Sequence, residues 1–357
     1  MKNISRKCFM TSVVCIVLGA ILLGAGYATG GLQDIKHQTA PKKVIQTFDH
    51  VTALDIDTNF STITVETGPV KKPTVTYYTH SKFIDPLEIK IENETLHISE
   101  KPRDVIITGG IELIGFGLNK SDRNHNYRTT TITLPKGTSL KELKGSSMPQ
   151  ATISDLTVQD LEFSGGLTLL NTRIKKGKVF GTFNATDSLL ANLELKADYS
   201  LSSLTNSSLE NGTISLGHGQ LTTKNTNLKS VTIQSLSPGG VETEETSLEN
   251  VTFTVTSEQE NEETNDNGAI FTAHSLTLKG TNTISGGNVA VDITLTDPKT
   301  TAYKTKTEDG KISLGSQLTP AKIGKESTSD VISYVAENKA ATGNLTVNLN
   351  KGDITIK

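Results

Sequence analysis

From Leu156 to Val255, apolar residues recur about every 20 positions in an otherwise polar chain. Ile174, Leu189, Leu209, Leu228 and Leu248 form one column, with last gaps of 20, 19 and 20 residues, and Leu201, Leu221 and Val241 form a second with gaps of 20 and 20. About five residues after most anchors another apolar residue follows, at Val179, Ile214, Ile233 and Phe253, with Leu216 and Val255 completing alternating pairs. A unit this short cannot enclose its own apolar face, so the period predicts stacking of each unit on its neighbours. The expected fold is all-β, a single-stranded β-solenoid or β-helix-like stack of ~20-residue rungs. One N-terminal transmembrane helix precedes it.

Outside this region the pattern is strict alternation, the mark of half-buried strands. It runs through ALDIDT and STITVET, recurs at Val75–Tyr77, Leu87–Ile91, Leu96–Ile98 and Thr131–Leu134, and returns from Ile270 to the C-terminus. Helical spacing is not expected anywhere after residue 28. Gly109–Arg128 breaks the rhythm, with Ile111, Leu113, Ile114, Phe116 and Leu118 set among glycines. It reads as a strand or loop tucked against the sheet, or as an exposed loop touching a membrane or partner through those five residues.

Phe9–Ala28 is a run of 20 uncharged residues behind Lys2, Arg6 and Lys7. At 1.5 Å per residue it matches the ~30 Å hydrocarbon core, and the basic flank places the N-terminus in the cytoplasm and the body outside. The alternative is a secretory signal cleaved near Gly26-Tyr27-Ala28; both export the body. The expected layout is a cytoplasmic N-terminus (1–8), a transmembrane helix (9–28), a stalk without periodicity (29–43) and an extracytoplasmic β-repeat domain (44–357).

Composition narrows the chemistry. Hydrophobic residues make up 34% and aromatics 5%, with no Trp, which suits a thin core lined by a few aliphatic side chains per rung. A net charge of −3 leaves no basic footprint for nucleic acid. Cys8 and Cys15 are the only cysteines, so the body has no disulfide, thiolate metal site or cysteine nucleophile. The seven histidines are scattered singly, without metal-ligand spacing. Asp55 and Asp57 share a strand face as a glycosidase pair would, but alternation with Leu54 and Ile56 produces the same pattern. The acidic tract Glu258–Asp266 lacks the ligand spacing and glycine of a calcium loop and reads as a solvated insertion. No catalytic, metal or cofactor site is expected.

Four short segments then carry a resemblance: LDID at Leu54–Asp57, ITLP at Ile132–Pro135, TEDGKISL at Thr307–Leu314 and NLNKGDITI at Asn348–Ile356. With the N-terminal anchor and stacked repeats, residues 44–357 resemble the LiaG-like adhesin-type family of bacterial envelope proteins. That resemblance implies a β-solenoid-like body outside a Gram-positive membrane, sometimes linked with envelope stress. It supplies no binding-site residues. The central rungs depart from the family's S-N-G-D/E turn. The function expected is that of a non-enzymatic, membrane-anchored surface scaffold, whose partners are the membrane through the N-terminal helix and a cell-envelope protein or wall polymer. The alternatives are an enzyme acting on wall polysaccharide, and a structural or regulatory partner of a neighbouring membrane protein.

Overall fold

The computed structural model describes residues 2–80, 84–101, 109–120, 127–236, 238–256, 268–318, 322–324 and 331–357. It divides into two compact units. The first comprises residues 1–44, 77–86 and 101–129, and the second residues 45–76, 87–100 and 130–357.

The second unit is built of strands stacked in parallel. Between residues 173 and 256 each repeat contributes three short strands, and each pairs with its counterpart in the next repeat. The first ladder joins Arg173–Ile174, Leu189–Ala191, Ser208–Glu210, Asn227–Lys229 and Ser247–Glu249. The second joins Gly177–Phe180, Leu193–Lys196, Thr213–Ser215, Thr232–Leu236 and Thr252–Thr256. The third joins Phe183–Thr186, Leu201–Thr205, Gln220–Lys224 and Gly240–Glu244. Strand Ala269–Leu295 then extends all three ladders in turn, because its 27 residues run along successive sides without a break.

The second ladder continues in both directions. Towards the N-terminus it passes through Thr157–Leu170, Ser139–Ser154 and Ala53–Thr58 to Thr95–Glu100, and Leu87–Glu92 closes that end in antiparallel pairing. Towards the C-terminus Gly343–Lys351 and Thr301–Asp309 add in parallel. The segments of the TEDGKISL and NLNKGDITI motifs lie directly on one another, with Thr307 opposite Leu349 and Ile312 opposite Ile354. Gly352 between them sits at φ 124°, where its amide donates to the Asp309 carbonyl at 2.7 Å. A side chain there would run into the Val289 backbone, so glycine is required both for the dihedral and for the close approach.

Stacking in register turns each inward position into a column. Ile98, Ile56, Phe163, Val179, Leu195, Ile214, Ile233, Phe253, Ile284 and Val347 follow one another along the second ladder, all fully buried. Gly145 stands in the same column beside Phe163, whose ring fills the space a Cβ would take. Each such side chain contributes about 1.5–3 kcal/mol when fully buried, which only the neighbouring rungs make possible.

The corners are built differently. After the third strand of each repeat comes a residue in the left-handed region, at Asp187, Asn206, Asn225 and Glu245, mostly types that tolerate this conformation. The next residue is a buried hydroxyl: Ser188, Ser207, Thr226, Thr246. These hydroxyls link one rung to the next. The Thr172 amide donates to Ser188 Oγ and the Ser188 amide to Ser207 Oγ, both at 3.1 Å, while Ser188 Oγ donates to the Thr186 carbonyl at 2.8 Å. Buried backbone donors that face no ladder partner are satisfied in this way.

Several expectations need correction. The apolar column runs through Leu190, 2% exposed, while Leu189 is 49% exposed. Likewise Ser202 is the inward residue and Leu201 is 67% exposed, so Leu221 pairs with Ser202. A one-residue shift moves a side chain to the opposite face of a strand, and a fixed 20-residue period imposes that shift where the spacing is 19 residues, as between Leu190 and Leu209 and between Ser202 and Leu221. Helices also occur after the apolar span α1 (Lys2–Ala28): α2 (Gly31–Gln38) lies in the expected stalk and α3 (Gly110–Lys120) in the expected loop or strand. The tract Glu258–Asp266 lies outside the described residues.

Leu190→Ala is expected to cost about 2–5 kcal/mol through the cavity it opens, and Leu189→Ala to stay within about 0.5 kcal/mol. Urea-unfolding midpoints of the two variants measure this directly; equal losses would mean that the register is wrong.

Candidate binding surface

Alternation that sends the core columns inward sends equally regular rows outward on the second ladder. One row runs through Thr213, Thr232, Thr252, Thr283 and Thr346, each in register with the next. Two residues along each strand lies a companion row of Ser215, Gln234, Thr254, Ser285 and Asn348. Strand spacing sets about 4.8 Å between successive residues of a row, and two residues of strand rise set about 6.6 Å between the rows. The face is thus a lattice of hydroxyl and amide groups about 19 Å long, each group half-buried or exposed. Thr254 and Ser285 hydroxyls approach within 3.4 Å across the ladder.

The threonine row continues into charge. Beyond Thr213 come Glu194, Lys178, Glu162, Lys144, Asp55 and His97, each on the next strand. Opposite signs alternate from Glu194 to Asp55, the favourable arrangement for neighbours across a ladder. Asp55 Oδ2 meets His97 Nδ1 at 2.9 Å, and Asp57 Oδ1 accepts from the Ser146 hydroxyl at 2.9 Å. The two carboxylates do share a face, with Leu54 and Ile56 turned inward, and each is engaged by its own cross-strand neighbour. Other outward rows are charge-laddered too, with Lys229 on Glu210 at 2.9 Å and Lys224 on Glu244 at 2.8 Å. A separate depression of about 320 Å³ is lined by Tyr303, Lys304, Glu337, Lys339 and neighbours. It holds one carboxylate, so the carboxylate pair used in glycoside hydrolysis is not assembled there. Among the described residues no cluster of three metal-ligating side chains occurs.

The five apolar residues singled out in the irregular segment all fall on α3. Ile111, Leu113 and Ile114 are exposed, Leu118 is half-buried, and the side chain of Phe116 lies outside the described residues. The polar rows escaped the search for apolar anchors, although their signal was present in the sequence. Thr-Ile-Ser, Thr-Ile-Gln, Thr-Phe-Thr, Thr-Ile-Ser and Thr-Val-Asn stand at 213–215, 232–234, 252–254, 283–285 and 346–348.

With this geometry in hand, comparison with known proteins finds a match to the family model Toastrack DUF4097 over residues 51–357. Comparison with curated proteins finds no match. Two crystal structures are similar: a protein of Clostridium sporogenes described provisionally as a cell adhesion protein, at 12% identity and TM-score 0.18, and one of Bacteroides fragilis described provisionally as an adhesin, at 12% identity and TM-score 0.29. Each comparison covers 89% of this chain and 99% of the other.

The charged rows set a pH dependence. Hydrogen bonds donated to Glu142, Glu244 and Glu210 hold Lys144, Lys224 and Lys229 above the ordinary 10.5. Their contribution is complete below that value and lost as pH rises through the raised one. Hydrogen bonds from Lys196 and Lys72 lower Glu194 and Asp49 below their ordinary 4.5 and 3.8; theirs is complete above those values and lost as pH falls through the lowered ones. Calorimetric Tm should therefore be level between 4.5 and 10.5 as far as these groups are concerned, and fall at both ends. All five groups are solvent-exposed, so the dependence should be shallow and flatten further in high salt. A steep change inside that window would contradict this account.

Proposed function

Because the chain belongs to the Toastrack DUF4097 family, and its matched region takes in every ladder described above, we propose that it is a non-enzymatic, membrane-anchored surface scaffold. Its second unit is read as a β-solenoid that offers an extended polar face to a polymer of the cell wall. The N-terminal helix Phe9–Ala28, apolar at mean hydropathy 2.3 and wholly unburied, crosses the membrane with the N-terminus in the cytoplasm and the body outside. The observation that carries the binding role is the double row on the second ladder. Its groups repeat at a fixed spacing on a scaffold whose backbone is hydrogen-bonded on both sides, so little conformational entropy is lost when a ligand docks. Hydroxyl and amide groups both donate and accept, which suits a ligand bearing hydroxyls and acetamido groups along an extended chain.

The test is co-sedimentation of the full chain, in detergent micelles, with purified cell-wall polysaccharide. Wild-type protein should pellet with the wall material. Removing two hydroxyls while keeping the β-branched shape, in Thr232→Val with Thr252→Val, should weaken binding about tenfold, the equivalent of two hydrogen bonds of modest net strength. The reading is abandoned if wild-type protein stays in the supernatant, or if the double variant binds as well as wild type.

A further inference from the structure

The three helices α1, α2 and α3 belong to one compact unit, and α3 is fastened to α2. Asn119 is buried, and its Nδ2 donates to the Lys36 carbonyl at 3.2 Å, to Thr39 Oγ1 at 3.0 Å and to the Gly115 carbonyl of its own helix at 2.9 Å. Gly115, one turn earlier, lies so close to the Thr39 side chain that no Cβ would fit. These two positions define the packed side of α3. At 100° per residue, Leu113, Ile114 and Gly117 fall on the side turned away from them. Leu113 and Ile114 are 57% and 45% exposed, and Ile111 in the first turn is 64% exposed.

What covers this apolar side follows from where α2 begins. The apolar span ends at Ala28 and α2 starts at Gly31. The 8 residues of α2 extend only about 12 Å. A helix clamped to the far end of α2 is therefore tethered within about 12 Å of the end of the span, and it reaches the interfacial region, the outer ~5–8 Å of each leaflet, when α2 runs along the membrane surface. We propose that α3 is an interfacial foot, lying in the outer surface of the bilayer that α1 crosses, with Leu113 and Ile114 buried at the headgroup–acyl boundary. Amphipathic helices bind membranes in this way through their apolar side. The inference rests on the anchor reading of α1 and adds a second membrane contact to it.

The absence of cysteine beyond residue 15 makes a direct test simple. In a Cys8→Ser, Cys15→Ser background, Ile114→Cys and, as a reference, Thr232→Cys are each labelled with an environment-sensitive fluorophore. The full chain is reconstituted into phosphatidylcholine–phosphatidylglycerol vesicles. The label at position 114 should be quenched by lipids carrying a shallow spin label and shielded from aqueous iodide, with the reverse at position 232. If vesicle-bound protein shows equal iodide quenching at both positions, the foot is wrong while the anchor stands. Shielding from both quenchers at position 114 would mean that protein covers α3, which also overturns the proposal. If the chain fails to float with vesicles, the anchor reading and the foot fall together.

Discussion

Everything in the second unit depends on one constraint, the in-register parallel stacking of strands from successive repeats. A repeat with three strands of 2–5 residues has too few apolar side chains to form a core and too many backbone polar groups to bury unaided. Stacking solves both problems at once. Strand amides and carbonyls pair with the rung before or after, and inward side chains are covered by their copies above and below. The cost is that no rung is independent, so an error in register propagates along a column.

The corners show how the chain protects that register. A turn placed at a fixed offset from each strand sets which residues face inward, and here the turn chemistry is local: Asp, Asn or, at 245, Glu in the left-handed region, followed by Ser or Thr. The hydroxyl reaches a backbone amide on the adjacent rung, as Ser207 does for Ser188. A hydroxyl in this role ties corner to corner where the ladder hydrogen bonds lapse. At the N-terminal end of the unit the same need is met by Glu100, a buried carboxylate that accepts from the amides of Asn59 and Phe60 and from the Ser61 hydroxyl. Different residues serve one purpose, to satisfy donors where the chain turns.

This explains what could be read in the sequence and what could not. Repetition was visible because columns such as Leu209, Leu228 and Leu248 survive any reasonable alignment. The period alone puts Leu189 and Leu201 inward, because an apolar residue stands next to the inward position there and the early rungs are shorter than the later ones. Counting two residues on from the T-[DN]-S corner, Thr186-Asp187-Ser188 and Thr205-Asn206-Ser207, locates the inward Leu190 and Leu209 correctly, since the corner rather than the period fixes the face. Helix α3 was invisible for another reason. Its sequence is rich in glycine, a poor helix former, and the reason Gly115 is tolerated lies in Thr39, 76 positions away. Tertiary contact overrides propensity there, and single-sequence periodicity carries no trace of it.

The same alternation separates stability from recognition. Inward residues are held by packing on two neighbours and tolerate little change in volume. Outward residues on the same strands touch surface neighbours in their own and adjacent rows, so Thr, Ser, Gln, Asn or an alternating series of Lys and Glu can occupy them at little cost to the fold. One ladder thus passes from an ionic row at Asp55–Glu194 to a hydroxyl row at Thr213–Thr346 while the apolar column behind it, interrupted at Gly145, continues. A scaffold with this property can change what it contacts along its length while keeping a constant interior. Under the proposed binding role, position along the stack, rather than a concave site, would be the variable by which such a protein chooses its ligand.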